Sequence, residues 1–226
     1  MSNFRDAGGA PTTDGGVVRT GVLYRSATLA EVTPDELATL AGLGIRTVLD
    51  LRRTEEVATY GRIPDADGRR YLNVPPIHQP WDATLVYDEA AGPARYLADR
   101  YLELARHGIE GYGRMLRVLA EPGATPAIVH CYAGKDRTGV LVALALALSG
   151  VSDADVAAEY AISDEWSRTT AGADLPVHWI AAPPEAMLTF LTELRAAYGG
   201  LDAYAEAAGL SPEDLAALRA TLVKSP

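Results

Sequence analysis

Cys131, the only cysteine among 226 residues, stands six positions before Arg137 in the run Ala127-Ile128-Val129-His130-Cys131-Tyr132-Ala133-Gly134-Lys135-Asp136-Arg137-Thr138-Gly139. These residue types at this spacing suit attack on phosphorus. A short loop running from an apolar strand into a helix N-terminus can aim successive backbone N–H groups at one centre, where an anion fits. The same field favours the nucleophilic thiolate at the base of such a loop. Arg137 adds a planar fork that can bind two phosphate oxygens and stabilise the charge of a transition state. Tyr132, Ala133, Gly134 and Lys135 would line the cradle, Lys135 placing a second positive charge over its mouth, and the Thr138 hydroxyl could donate to the sulfur. The chemistry is phosphate-monoester hydrolysis, with a cysteinyl-phosphate that water then cleaves.

Other readings of the same stretch are weaker. A lone cysteine is more often a buried structural residue, but here an anion loop and an arginine follow it directly. The Gly134-Lys135 pair invites a nucleotide-binding loop, which needs Ser or Thr after the lysine and Gly five residues before Gly134. Those positions hold Asp136 and Val129. The four histidines, His78, His107, His130 and His178, are scattered and match no zinc spacing, and no cofactor is expected. A phosphate-binding pseudoenzyme would not need both Cys131 and Arg137. A Cys-x5-Arg arsenate reductase would need further thiols.

The leaving oxygen needs a proton, and a carboxyl near the loop is the usual source. Asp136 lies inside the loop. Asp50 ends a predicted strand that should run beside the Cys131 strand, so its carboxylate could reach the same rim. Asp82 sits in the irregular Pro80-Trp81-Asp82 stretch, and Asp99 falls within a predicted helix as a solvated charge. The order of preference is Asp136, then Asp50, then Asp82.

His130-Cys131-x5-Arg137-Thr138-Gly139 resembles the signature of the protein tyrosine phosphatase superfamily. The full string is closest to the bacterial branch that includes mycobacterial and listerial phosphatases with lipid activity. Asn3-Phe4-Arg5-Asp6-Ala7-Gly8-Gly9, Leu23-Tyr24-Arg25-Ser26-Ala27 and Gly44-Ile45-Arg46-Thr47-Val48-Leu49-Asp50-Leu51-Arg52 resemble that branch's N-terminal motifs, in the same order. The resemblance implies a tyrosine phosphatase-like α/β fold and activity on phosphotyrosine, extending to phosphoserine, phosphothreonine or phosphoinositide. It gives His130 a supporting part in shaping the loop. An in-loop acid like Asp136 is similar to that of myotubularin-type lipid phosphatases, and Lys135 matches a lysine of tensin-type phosphoinositide phosphatases. Asp82 is superficially similar to the Trp-Pro-Asp acid of classical members, in a different order. The implied partners are a phosphorylated protein or phosphoinositide, with a phosphate ion held in the loop.

The elements that must position these residues are legible in outline. Thr33 caps a helix that begins Pro34-Asp35-Glu36 and ends at Gly42 and Gly44. Ile45 to Leu51 and Tyr71 to Val74 read as strands. Val17 to Arg19 and Val22 to Tyr24 read as a hairpin feeding the main sheet. Helical spacing covers Pro93 to His107 and Tyr112 to Leu119. Thr138 to Leu148 is apolar all round and should lie in the centre. Further helices follow after Ser152, from Pro184 to Tyr198, from Leu201 to Ala208 and from Pro212 to Val223, while 77–91 and 163–183 read as irregular connections. Strands alternating with helices indicate an α/β layer structure, a mostly parallel central sheet flanked by helices with additional C-terminal ones. No linker divides the chain, so one domain over 1–226 is expected.

A hydrophobic content of 48% suits a globular protein, and the net charge of −10 excludes a nucleic-acid binder and weakens attraction to anionic membranes. An anionic substrate must then be drawn by local basic residues. Arg25, Arg52 and Arg53 follow strand-like runs and would line the rim or lie on ordinary surface; Arg5 and Asp6 would pair internally. No segment reads as a signal peptide or an integral membrane span, and a lone reactive thiol fits a reducing compartment, so the cytoplasm is expected.

Overall fold

A computed structural model describes residues 1–76, 87–170 and 176–226, without the side chains of 167–170. The main sheet is built from β1 (Arg5–Asp6), β3 (Leu23–Ser26), β4 (Thr47–Asp50), β5 (Arg70–Asn73) and β6 (Ala127–His130) in the order β1-β3-β6-β4-β5. Only β1 runs antiparallel. The order puts β6 in the middle, which explains its unbroken apolar run: a central parallel strand is covered on both faces. The register aligns Ser26, His130, Asp50 and Asn73 along the carboxyl edge. That edge is where open parallel sheets bind ligands.

Strand alternation divides the core in two. Leu23, Leu49, Ala127 and Val129 face the larger cluster, which includes α5 (Asp136–Leu148); Tyr24, Val48 and Ile128 face a smaller one with Leu40 of α1 (Pro34–Gly42). Nine residues of α5 are buried because α3 (Gly92–His107), α4 (Ile109–Ala120) and α6 (Asp153–Thr170) surround it with the C-terminal helices. Those against it are α9 (Leu201–Ala207) and α10 (Pro212–Leu222), while α8 (Pro184–Tyr198), which follows the short α7 (Val177–Ile180), packs on α3 and α6. Thr33 and Ser211 form the capping boxes at α1 and α10. Among the described residues no helix is long and apolar enough to cross a membrane.

Three expectations are corrected. Val17–Val18 (β2) does not form a hairpin into the main sheet; it pairs with β7 (Val223–Lys224) in a separate ribbon, while β3 takes β1 as its antiparallel neighbour. Residues 163–170 continue α6, and 177–180 form α7. An unanticipated helix, α2 (Thr54–Tyr60), follows β4, although only its Glu56 carboxylate accepting the Arg53 backbone N–H marks the start.

Candidate active site

Cys131 follows β6 directly and is buried, and its Sγ accepts a hydrogen bond from the Gly134 N–H at 3.2 Å. The loop's outer side explains why its amides can face inward. Tyr132 O accepts from Thr28 N at 2.9 Å, Ala133 O from Asn3 Nδ2 at 3.1 Å, and Gly134 O from Arg25 Nη2 at 2.7 Å. With successive carbonyls turned to the N-terminal segments, the N–H groups are left for the centre. Gly134 has φ +68°, and a Cβ there would stand 2.2 Å from Ser26 O, so glycine alone suits the turn.

Those N-terminal motifs therefore brace the loop. Arg25 is fully buried, pairs with Glu159 of α6 at 2.6 Å, and does not line the rim. Glu159 also holds Arg5 at 2.7 Å. The expected Arg5–Asp6 pair does not form: Asp6 accepts instead from the backbone N–H groups of Gly8 and Gly21, at 2.8 and 2.5 Å. Burial, with Arg25 nearby, pushes Arg5 down to about 10, which leaves it charged at neutral pH.

Arg137 lies at the start of α5, where Glu56 of α2 grips its fork, with Nη1 and Nη2 at 2.6 and 3.0 Å from the two carboxylate oxygens. Nη1 also donates to Leu51 O at 3.3 Å. Burial disfavours the charged guanidinium, yet Glu56 and the nearby Cys131 and Asp136 raise it above the usual arginine range. Burial pushes the Glu56 carboxyl up, and hydrogen bonds from Arg137 outweigh this and hold it down. Arg53, partly exposed, lies 3.4 Å from Glu56 Oε2, the same oxygen that Arg137 Nη1 meets. Among the described residues, the Nε and second Nη2 hydrogens of Arg137 form the edge left for a ligand.

The three acid candidates separate. Asp136 is partly exposed; its Oδ1 accepts from the Tyr101 hydroxyl at 2.8 Å and lies 3.4 Å from Lys135 Nζ. Tyr101 in turn meets the Tyr160 hydroxyl at 2.5 Å. Asp50 does not reach the rim. It is fully buried and bound by Arg52 at 2.6 Å and Tyr71 at 2.7 Å, with His130 Nε2 at 3.6 Å. Burial pushes its carboxyl up, but His130 and Arg52 outweigh it and hold Asp50 below the usual range. Arg52, fully buried in this pair, is no rim residue either. Asp82 lies outside the described residues. Asp99, on the exposed side of α3, pairs with Arg95.

Lys135 departs from expectation. It is 1% exposed, and its ammonium donates to Trp179 O at 2.9 Å and Ala181 O at 3.0 Å, so its charge ties the loop to α7 instead of covering the mouth. His130 sits at the strand end as expected, its Nδ1 3.2 Å from Cys131 O, and burial pushes it down. The Thr138 hydroxyl is buried with no hydrogen-bond partner among the described residues. Tyr132 is half exposed beside Tyr60.

Sequence reasoning missed Glu56, Glu159, Thr28, Tyr101 and Tyr160, and it marked Asn3 only as part of the Asn3-to-Gly9 motif. Their one shared signal is a polar group placed where a neighbouring motif must be braced, visible only after the chain is folded.

Comparison with known proteins bears on the same residues. Residues 1–224 match the model of the tyrosine phosphatase family. The triple specificity protein phosphatase PtpB of Mycobacterium tuberculosis is 32% identical over 190 residues, spanning 72% of this chain and 67% of that protein. A tyrosine-protein phosphatase of Nostoc commune is 27% identical over 218 residues, spanning 88% of this chain and 73% of that one.

Proposed function

This chain belongs to the tyrosine phosphatase family, and on that premise we propose that it hydrolyses phosphotyrosine through a cysteinyl-phosphate at Cys131. One observation carries the reading: the sulfur sits at the base of a loop whose carbonyls are tied outward, with an arginine edge left free beside it. The N–H groups of the loop and the Nε/Nη2 edge of Arg137 would hold the three non-bridging oxygens of the phosphate. The Cys131 thiolate attacks phosphorus, and the bond to the leaving oxygen breaks.

Asp136 supplies the proton to that oxygen in this reading. Its Oδ1 is anchored by Tyr101, and Oδ2 is unengaged among the described residues. The carboxylate then takes a proton from water, the resulting hydroxide attacks phosphorus, and the S–P bond breaks to release phosphate and the thiolate. The unpartnered Thr138 hydroxyl would stabilise the departing sulfur. Glu56 fixes the plane of Arg137 as a positioning residue.

Activity on phosphoserine, phosphothreonine or phosphoinositide is supported by the description of the mycobacterial relative as triple specificity. The withdrawal of Lys135 from the mouth counts against a phosphoinositide preference. A phosphorylated protein in the cytoplasm, where a reduced thiol persists, is the substrate we assign. The test is phosphate release from p-nitrophenyl phosphate, a phosphotyrosine peptide and phosphoinositides by the wild type and Cys131→Ser. Turnover should vanish with the thiol for every substrate; turnover that survives the substitution would sink the mechanism.

A further inference from the structure

α2 meets the loop with two side chains on one face. Glu56 grips the Arg137 fork, and Tyr60, four residues on, lays its ring beside that of Tyr132. The ring centroids are 5.4 Å apart at an interplanar angle of 57°, within the favourable range for an aromatic pair. Both rings stay open to solvent even so, Tyr60 being 52% and Tyr132 47% exposed. Tyr132 is the residue after the nucleophile, and its backbone carbonyl is pinned by Thr28 N at 2.9 Å. The ring is therefore carried by a fixed backbone next to the phosphate cradle.

We propose that Tyr60 and Tyr132 form an aromatic wall at the mouth of the loop, packing against the phenyl ring of phosphotyrosine and favouring aryl over alkyl phosphate monoesters. The proposal rests on the phosphatase reading above and names the specificity element of that site. In this proposal the group attached to a phosphate in the cradle would leave past Tyr132, the exposed residue that follows the nucleophile. A phenyl ring placed there covers apolar surface on both partners and adds a ring–ring contact; a serine methylene offers far less to cover. The helix that orients Arg137 through Glu56 also carries Tyr60, so the clamp on the phosphate and the wall beside it are placed by a single turn of α2.

Phenylphosphonate and methylphosphonate test this without turnover, because neither has an ester bond to cleave. Calorimetric titration of the full chain should show tighter binding of phenylphosphonate by the wild type. Tyr60→Ala should cut that preference about fivefold to tenfold, while Tyr60→Phe should keep it. Tyr60 is an exposed last residue of its helix, and an unchanged circular dichroism spectrum checks that the variant is folded. A preference equal in the wild type and Tyr60→Ala, or absent from the wild type, overturns the wall and leaves the phosphatase reading standing. That reading falls separately, by turnover that survives Cys131→Ser.

Discussion

At the residue scale, the two oxygens of Asp136 have different surroundings. Oδ1 takes the Tyr101 hydroxyl and lies near Lys135 Nζ, whereas Oδ2 has no partner among the described residues. Asp50 has the opposite environment, sealed between Arg52, Tyr71 and His130. Asp136→Asn is therefore expected to lower kcat about 100- to 10,000-fold for a substrate with a poor leaving group, and less for p-nitrophenyl phosphate. It should also abolish the basic limb of the pH–rate profile. Asp50→Asn should keep that limb and lower stability instead, since it strips a buried arginine of its partner. A basic limb retained in both variants would move the acid to Asp82. That Cys131 and Arg137 sit at the two ends of one strand-to-helix loop was legible, because their spacing alone sets it. Glu56 was not, because one glutamate in a stretch without apolar period looks like solvated charge until β4 and β6 bring it beside Arg137. Lys135 was read as facing the mouth because sequence does not say which way a long side chain turns; the carbonyls of Trp179 and Ala181 decide it.

At the scale of elements, the loop is shaped from outside by Asn3, Thr28 and Arg25 as much as by its own residues. Gly134 is where the fit is tightest, and any side chain there must displace the loop from β3. Gly134→Ala should cost about 1–3 kcal/mol of unfolding free energy, read from a urea midpoint. It should also weaken inorganic phosphate binding about tenfold or more, because the N–H that faces Sγ moves with it. Full phosphate affinity in a folded Gly134→Ala protein would show that the loop tolerates the shift. The strand–loop–helix unit around Cys131 was plain in the sequence, as were the capped helices. The two-residue β2 was misassigned because its partner lies at the far end of the chain, where no local pattern points.

For the molecule as a whole, burial of polar groups at the carboxyl edge of the sheet makes stability depend on pH. Burial holds His130 below its ordinary 6.5, with Asp50 opposing. Between the folded value and 6.5 the unfolded chain takes up a proton that the folded one refuses, so stability is lost as pH falls through that window. Asp50 and Glu56 are held below their ordinary 3.8 and 4.5, so what they contribute is present above those values and lost as pH falls through the folded ones. Urea midpoints should accordingly decline as pH falls below about 6.5 and again below about 4. His130→Gln should flatten the first decline alone; an equal slope in the variant would assign it to other groups. Both apolar clusters draw on strands β3, β4 and β6, so loss of the sheet would open both.

Cys131 is the only thiol in the sequence, and it is buried at the foot of an anion cradle. If a peroxide carries its sulfur to the sulfenic acid, no second cysteine stands by to trap it as an internal disulfide. Recovery then depends on a small-molecule thiol threading the same mouth that admits the substrate, or on closure onto a neighbouring backbone nitrogen. Without either, further oxidation to the sulfinic acid is a one-way loss. Under the proposed chemistry, a phosphate bound over Cys131 would also be its nearest shield against oxidants.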